Sequence, residues 1–294
     1  MTRKESKPVA IPLRERTLWG DALRRFARNQ LSLLAFFLAV ALILLAIFAP
    51  LLAPEGYDAQ NYTVAWRFPS PEFPLGTDPF GRSLLSRILF GARISLSVAL
   101  VVNTIAFVVG APIGALAGWY GGIIDYLLMR LVDVMSAFPT LLFALLMLTT
   151  IGSGLFNLYL ALSITSWIGI ARLIRGQFLS LREEEFVVAA RASGVPTWQI
   201  LWRHMTPNAL APVIVSLTLG IPAAIMGEAG LSFLGIGVDP PTPSWGKMVS
   251  EYLPYVQTHW YLSTFPALMI ALTMYAFTLM GDGLQDALNP RAGR

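Results

Sequence analysis

Five nearly uncharged runs divide the chain, and each is long enough to form a membrane-spanning helix. They cover residues 29–54, 94–124, 134–171, 207–234 and 260–280. A transmembrane helix needs about 20 consecutive, mostly apolar residues. The third run is about twice that length and contains the turn sequence Ile-Gly-Ser-Gly at residues 151–154, so it predicts two helices. The pattern therefore predicts an all-α membrane protein with six transmembrane helices.

The distribution of Lys and Arg predicts which segments face the cytoplasm. Eight of these residues lie within residues 1–30, and five Arg residues lie between residues 172 and 203. Cytoplasmic segments carry an excess of positive charge, so both regions are predicted to be cytoplasmic. The segments 54–93 and 238–259 are then external, although the first also contains four Arg residues. Six spans place both termini in the cytoplasm.

These assignments predict the organisation of the whole chain. The segments are a cytoplasmic N-terminal segment (1–30), a first transmembrane helix (31–53), an external loop (54–93), a core of five transmembrane helices (94–282) and a cytoplasmic tail (283–294). The first apolar run is too long for the core of a signal peptide, and no small-residue cleavage pattern follows it. We therefore expect this helix to be retained as an anchor.

Composition changes this picture little but excludes several classes of function. The chain is 55% hydrophobic and 13% charged, against about 25% charged residues in ordinary soluble domains. It contains no cysteine, which excludes disulfides, thiolate metal ligands and cysteine nucleophiles. Its net charge of +4 is small and unevenly placed, which fits membrane topology better than a nucleic-acid partner.

A polar segment, residues 181–207, separates the fourth and fifth predicted spans. Its first part predicts a helix from Leu181 to Ala192 that ends at Gly194. Pro196 then favours the start of a second helix. The apolar residues of this second helix recur at i, i+3, i+4 and i+7: Trp198, Leu201, Trp202 and Met205. Two interpretations are open: the helices rest on lipid headgroups, or they dock a cytoplasmic partner.

The sequence VAARASGVPTWQILWRHMTPN, residues 188–208, resembles the EAA loop of permease subunits in binding-protein-dependent ABC importers. The residues that match at the family spacing are Ala189, Ala190, Gly194 and Pro207. The residues that depart are Val188 in place of Glu, His204 at a hydrophobic position and Thr206 in place of Leu. Glu184 and Glu185 lie nearby and are candidates to supply the missing charge, and Arg191 lies on the same helix.

Four further stretches extend the resemblance to most of the chain, together with the amino-terminal run RRFARNQLSLLAFFLAVALILLAIFAPLLAP. They are FPLGTDPFGRSLLSRILFGARISLSVAL from Phe73, GALAGWYGGIIDYLLMRLVDVMSAFPTLLFALL from Gly114, GEAGLSFLGIGVDPPTPSWGKM from Gly227 and GDGLQDALNPR from Gly281. In this order they are similar to the C-type subunits of dipeptide, oligopeptide and nickel permeases.

The resemblance implies a fold, partners and a location. The fold is the type I ABC importer permease fold, in the plasma membrane of a bacterium or archaeon. The implied partners are a homologous second permease, two ATP-binding subunits at residues 181–207, an external solute-binding protein and membrane lipid. The implied solute is a di- or oligopeptide, with nickel or another small solute as the alternative. ATP and magnesium belong to the ATP-binding subunits, and no cofactor is expected on this chain.

Enzymatic and independent transport functions have little support in the sequence. The one Gly-Lys pair, Gly246-Lys247, is followed by Met248, and Pro241 stands where a phosphate-binding loop needs its first glycine. With two histidines and no H-E-x-x-H sequence, no catalytic or metal-binding residue is predicted. A channel or secondary transporter would leave the 181–207 segment unexplained, and inverted repeats are not apparent.

Polar residues and glycines inside the spans are the remaining candidates. Glu228 lies in an apolar helix, where a charge costs about 2 to 3 kcal/mol. It either pairs within the helix bundle or lines the translocation path, and Asn103 has the same two alternatives. Asp133 is expected to pair with Arg130, three residues before it. The four-residue spacing of Gly110, Gly114 and Gly118 predicts a helix-packing face, with a pore-lining role as the alternative.

Overall fold

The computed structural model describes residues 18–288, and this part of the chain is almost entirely helical. Residues 1–17 of the predicted N-terminal segment (1–30) and residues 289–294 of the predicted tail (283–294) lie outside the described residues. The helices are α1 (Leu18–Arg28), α2 (Gln30–Ile47), α3 (Ala49–Leu52), α4 (Leu84–Tyr120), α5 (Gly122–Ser136), α6 (Thr140–Ile151), α7 (Leu155–Leu181), α8 (Glu185–Ala192), α9 (Thr197–Gln199), α10 (Thr206–Phe233), α11 (Trp245–Tyr252) and α12 (Tyr261–Leu288). The predicted all-α fold is confirmed.

Five of the described helices are long and apolar enough to cross a membrane, and a bent pair makes six if it counts as one span. The five are Gln30–Ile47, Leu84–Tyr120, Leu155–Leu181, Thr197–Phe233 and Tyr261–Leu288. The bent pair is α5 with α6, whose axes differ by 75°. Between α2 and α4, residues 53–83 form a loop with one short 3₁₀ turn at Tyr62–Val64.

The third span differs from its predicted course. The uncharged run predicted one helix from Val134 to the turn at residues 151–154, but the chain bends between Ser136 and Thr140. Pro139 explains the bend, because it disfavours helical backbone at the residue before it and has no N–H to donate. The turn itself is confirmed: Gly152 and Gly154 have φ of 94° and 119°, a region that favours glycine.

The helix α4 begins ten residues before the uncharged run that predicted it. Ser83 caps its N-terminus by accepting a hydrogen bond from Ser86. Arg87 lies in the first turn of α4 yet is only 1% exposed, and its guanidinium lies 3.1 Å from the carboxylate of Glu251. Arginine is a good helix former, so its charge ends an apolar run without ending the helix, and counting uncharged residues places the start too late.

The three glycines at four-residue spacing bring α4 against α7. A Cβ atom added to each would lie 2.3 to 2.7 Å from a backbone carbonyl oxygen of α7. The oxygens that face Gly110, Gly114 and Gly118 belong to Trp167, Ala171 and Arg175. Only glycine permits this approach, so the stripe sets the distance between α4 and α7.

Gly114→Ala is expected to destabilise the protein by about 1 to 3 kcal/mol, because its Cβ would lie 2.3 Å from the Ala171 oxygen and the helices must separate. The purified chain in detergent should therefore melt several degrees lower. Gly176→Ala, on α7, is the matched control: its Cβ meets nothing within 4 Å, and alanine favours the helix. Equal melting temperatures for the two variants would contradict the packing role.

Two ion pairs hold α5 against α7, and one of them corrects a prediction. Arg175 binds Asp125 through two hydrogen bonds, and Arg172 lies 3.0 Å from Asp133. The expected pair of Asp133 with Arg130 is wrong, because the Arg130 guanidinium lies over the ring of Tyr126, 5.2 Å from its centre. Both Arg172 and Asp133 are about half exposed, so this pair orients α5 more than it stabilises the fold.

Candidate functional site

The coupling segment, residues 181–207, forms two helices joined at a glycine. The first helix begins at Glu185 and not at Leu181, because α7 continues to Leu181 and a turn follows it. Its end is a Schellman motif: Gly194 N–H donates to the Arg191 carbonyl at 3.0 Å, and Val195 N–H donates to the Ala190 carbonyl at 3.1 Å. Gly194 has φ of 75°, so the motif depends on glycine.

Three buried apolar side chains attach the coupling segment to the membrane core. Val187, Ile200 and Met205 are each at most 1% exposed. They pack in one cluster with the side chains of Trp119 and Phe178, near the ends of α4 and α7. The two helices of the segment therefore rest on the spans through a fixed apolar base.

The apolar face predicted for the second helix is only partly buried. Of its four residues, Met205 is buried, but Trp198 and Trp202 are 70% and 74% exposed. The reason is a π-helical turn at Ile200–Met205. In a π helix the hydrogen bonds join residues five apart, so Ile200 and Met205 share a face that a 3.6-residue period does not predict.

Pro207 explains the π turn and the way the segment enters α10. It has no N–H to donate to the carbonyl four residues before it. The N–H of Thr206 instead donates to the Leu201 carbonyl, and its hydroxyl donates to the same oxygen at 2.9 Å. The Asn208 side chain donates to the His204 carbonyl at 2.6 Å. The helix therefore widens without breaking and continues to Phe233.

The predicted contact residues of the coupling segment have different surroundings. Glu184, Glu185, Ala189 and Gly194 are exposed, whereas Ala190 is half-buried. The Arg191 guanidinium lies over the Trp119 ring, 4.0 Å from its centre. The segment thus presents acidic, small and aromatic side chains on its free surface, while Pro207 and Arg191 shape its attachment.

A cavity of 760 Å³ lies between α4, α7 and α10, and Asn103 lies on its wall. Its polar wall residues are Asn103, Thr140, Thr165, Ser166 and Ser216, and its glycines are Gly169, Gly220, Gly227 and Gly230. A Cβ on Gly220 would lie 2.1 Å from the Asn103 side-chain oxygen, so Gly220 makes room for the amide. We call this space the α4–α7–α10 cavity.

Glu228 does not line this cavity. It is 0% exposed, and its carboxylate accepts hydrogen bonds from Ser244 at 2.6 Å, Ser232 at 2.7 Å and Ser95 at 3.3 Å. Ser95 also accepts the Trp245 N–H. The carboxylate therefore joins α4, α10 and the start of α11, which favours the structural alternative of the two that the sequence left open.

Sequence reasoning missed the serines around Glu228. The Ser232 position, four residues after Glu228 on the same helix, was a usable signal. Ser95 and Ser244 lie in other elements, at separations of 133 and 16 residues, and nothing in the sequence pairs them with Glu228.

A second buried polar cluster, not predicted, fixes the 53–83 loop to α4 and α11. Asp78 is 0% exposed and pairs with Arg82, which is 5% exposed. The Tyr252 hydroxyl donates to the same carboxylate at 2.9 Å. Burial raises the pKa of Tyr252, which keeps the hydroxyl protonated as a donor. Arg87 extends the cluster to Glu251, so the loop and both helices form one unit.

A bundle of apolar spans, with a polar helix–turn–helix between its fourth and fifth spans, defines a membrane transport subunit. The family described as "Binding-protein-dependent transport system inner membrane component" matches residues 110–294. A second family, "N-terminal TM domain of oligopeptide transport permease C", matches residues 17–71. The chain belongs to the family of binding-protein-dependent transport system inner membrane components, so the predicted family is confirmed.

Characterised relatives are similar over nearly the whole chain. The dipeptide transport system permease protein DppC of Bacillus subtilis is 41% identical over 275 residues, covering 93% of this chain and 86% of the relative. The oligopeptide transport system permease protein OppC of the same organism is 39% identical, covering 94% and 90%. The glutathione transport system permease protein GsiD of Escherichia coli is 40% identical, covering 97% and 94%.

A solved structure is similar in fold. The MetNI methionine ABC transporter, in an inward-facing conformation, has a chain that matches with a TM-score of 0.57 at 19% identity. The match covers 69% of this chain and 96% of that chain. The predicted ABC importer permease fold is therefore confirmed, and the chain is a multi-pass membrane permease.

Proposed function

We propose that this chain forms half of the transmembrane pathway of a heteromeric ABC importer for di- or oligopeptides. The support for the peptide substrate is that DppC and OppC relatives are 38 to 41% identical over at least 93% of the chain. Nickel or another small solute is the alternative, because the resemblance extends to nickel permeases.

The coupling segment is the observation that carries this proposal. Its buried base of Val187, Ile200 and Met205 attaches it to the spans, while its free surface holds exposed charged and aromatic side chains. A surface of this kind, continuous with α10, suits a docking site for a cytoplasmic ATP-binding subunit. Glu184, Glu185, Ala189 and Gly194 would contact that subunit. ATP and magnesium would bind there and not to this chain.

The remaining partners follow from the same proposal. One coupling segment per chain calls for a homologous second permease, because two ATP-binding subunits need two docking sites. The 238–259 segment and the 53–83 loop would face outward and receive the solute-binding protein. The protein would lie in the bacterial plasma membrane, among its lipids, with both termini in the cytoplasm.

The first experiment is to purify the tagged protein in mild detergent and to identify the proteins that accompany it. We expect a second permease and ATP-binding subunits. The complex, reconstituted with its binding protein, should then take up a dipeptide or an oligopeptide in an ATP-dependent way. Recovery of the chain alone would contradict the importer complex. Uptake of nickel ions, with no uptake of dipeptides, oligopeptides or glutathione, would show that the substrate is nickel and not a peptide.

A further inference from the structure

We propose that the solute passes through the α4–α7–α10 cavity, whose wall is uncharged and can form hydrogen bonds. The neutral side chain of Asn103 in this wall lets peptides of either charge pass. This inference rests on the proposed function and concerns whether the path selects peptides by their charge. Peptides differ in side-chain charge but share the amide group, so a path for many peptides must bind the amide without selecting a charge.

The wall of the cavity contains hydrogen-bonding groups and no charged side chain among the described residues. Asn103 contributes from α4, Ser166 from α7 and Ser216 from α10. Gly169 and Met226, which also line the cavity, are exposed on the surface of the chain. A second permease placed against that side would close the cavity into a passage.

The Asn103 amide has a donor and an acceptor that are not used within the described residues. Its nitrogen donates to the Ala99 carbonyl at 2.8 Å, which leaves one N–H free. Its oxygen accepts from none of the described residues. The Ser216 hydroxyl likewise has no hydrogen-bond partner within residues 18–288, and the Ser166 hydroxyl, which donates to the Ser163 carbonyl at 2.9 Å, can still accept. Donors and acceptors of this kind match a peptide group.

The acid nearest to the wall is directed away from it. Gly227 and Gly230 of α10 line the cavity, while Glu228 between them is 0% exposed and bound by three serines. The helix therefore presents glycine to the cavity and its carboxylate to the protein. This arrangement keeps a fixed charge out of the passage even though the sequence places one in the same turn.

A charge on the wall would have a large effect. Two charges a few ångströms apart interact strongly in the low effective dielectric of a protein. A carboxylate on the wall would retain cationic peptides and repel anionic ones, whereas a neutral amide does neither. The uncharged wall is thus the physical basis for passing peptides of either charge at similar rates.

Asn103→Asp tests this inference in the complete reconstituted importer. Uptake is measured for three dipeptides: one with a Lys side chain, one with a Glu side chain and one with uncharged side chains. Each is supplied at a saturating concentration, so that the rates depend on the path more than on the binding protein. For the unmodified protein we expect similar maximal rates. For Asn103→Asp the ratio of the rates for the cationic and anionic dipeptides should change by about tenfold or more, a change equivalent to about 1.4 kcal/mol.

Two further variants control the result. Asn29→Asp makes the same exchange at the start of α2, where the Asn29 oxygen accepts both of its side-chain hydrogen bonds and Asp keeps them, so the ratio should not change. Ser216→Asp places the charge on the same wall from α10 without removing a hydrogen bond, and it should shift the ratio if Asn103→Asp does not fold.

Two results would overturn the inference, and they differ from failure of the proposed function. One is an unchanged ratio in whichever of Asn103→Asp and Ser216→Asp assembles normally. The other is a tenfold or larger preference for one charge in the unmodified importer at saturation. Absence of any peptide uptake by the unmodified complex would instead reject the peptide function, and this inference with it.

Discussion

Gly194→Pro is expected to abolish solute uptake while the chain still inserts and folds in the membrane. Proline fixes φ near −65°, whereas Gly194 has φ of 75°. It also removes the N–H that donates to Arg191 and disfavours the helical backbone of Ser193. Both hydrogen bonds of the Schellman motif are then lost, at a cost of about 1 kcal/mol each before strain is added.

The damage should be confined to the coupling segment, because Gly194 is exposed and a Cβ there would meet nothing within 4 Å. A change of about 3 kcal/mol in the docking surface corresponds to roughly a hundredfold weaker binding of an ATP-binding subunit. Co-purification of that subunit and solute-stimulated ATP hydrolysis measure the loss directly. The melting temperature of the chain should fall by a few degrees at most, because the spans themselves are unaltered.

A graded series controls this experiment. Asn tolerates positive φ, so Gly194→Asn should keep most of the activity. The activity of Gly194→Ala should fall between those of the Asn and Pro variants, because the left-handed conformation costs about 1 to 2 kcal/mol for a residue with a Cβ. Full ATP hydrolysis by the proline variant would show that the angle between α8 and α9 has no part in coupling.

Glu228→Ala is expected to lower the stability of the protein by roughly 3 kcal/mol or more, because three buried serine hydroxyls lose their charged acceptor. The cavity left by the side chain adds to the loss. The variant should accumulate poorly in the membrane, and the purified fraction should melt well below the unmodified chain.

Glu228→Gln separates a structural role from a role on the path. The Gln carbonyl oxygen accepts the two short hydrogen bonds from Ser232 and Ser244, so most of the stability should be kept. Because the carboxylate does not line the α4–α7–α10 cavity, peptide uptake should stay within about twofold of normal, less than the tenfold that 1.4 kcal/mol produces. Normal assembly with strongly reduced uptake would place Glu228 on the path.

Helical spans and close packing were predictable because their signals are local. The apolar runs predicted the spans, and the glycine turn at residues 151–154 predicted where the third run divides. The spacing of Gly110, Gly114 and Gly118 predicted a packing face, and these glycines meet the backbone of α7. Each of these features depends on residues within one continuous segment of the chain.

The features that were missed depend on distant partners or on irregular backbone. Arg87 is buried in α4 because Glu251, far along the chain, neutralises its charge. Asp133 pairs with Arg172 of another helix in preference to Arg130 of its own. The π turn before Pro207 changes the period of the second coupling helix, so Trp198 and Trp202 line an open groove beside α4 and α10 and stay exposed, while Met205 is buried.

The helix that leaves the coupling segment has a geometric consequence for transport. Residues 197–233 form one helix of 37 residues, about 55 Å long at 1.5 Å per residue. A tilt of about 5° at one end moves the other by about 5 Å, close to the 5.4 Å of one helical turn. Pro212 and Pro222 lie within it and would absorb part of the tilt by bending. Leverage along a single helix would thus turn a small rotation of the coupling segment into a larger displacement at the far end, where Glu228 would carry α11 with it.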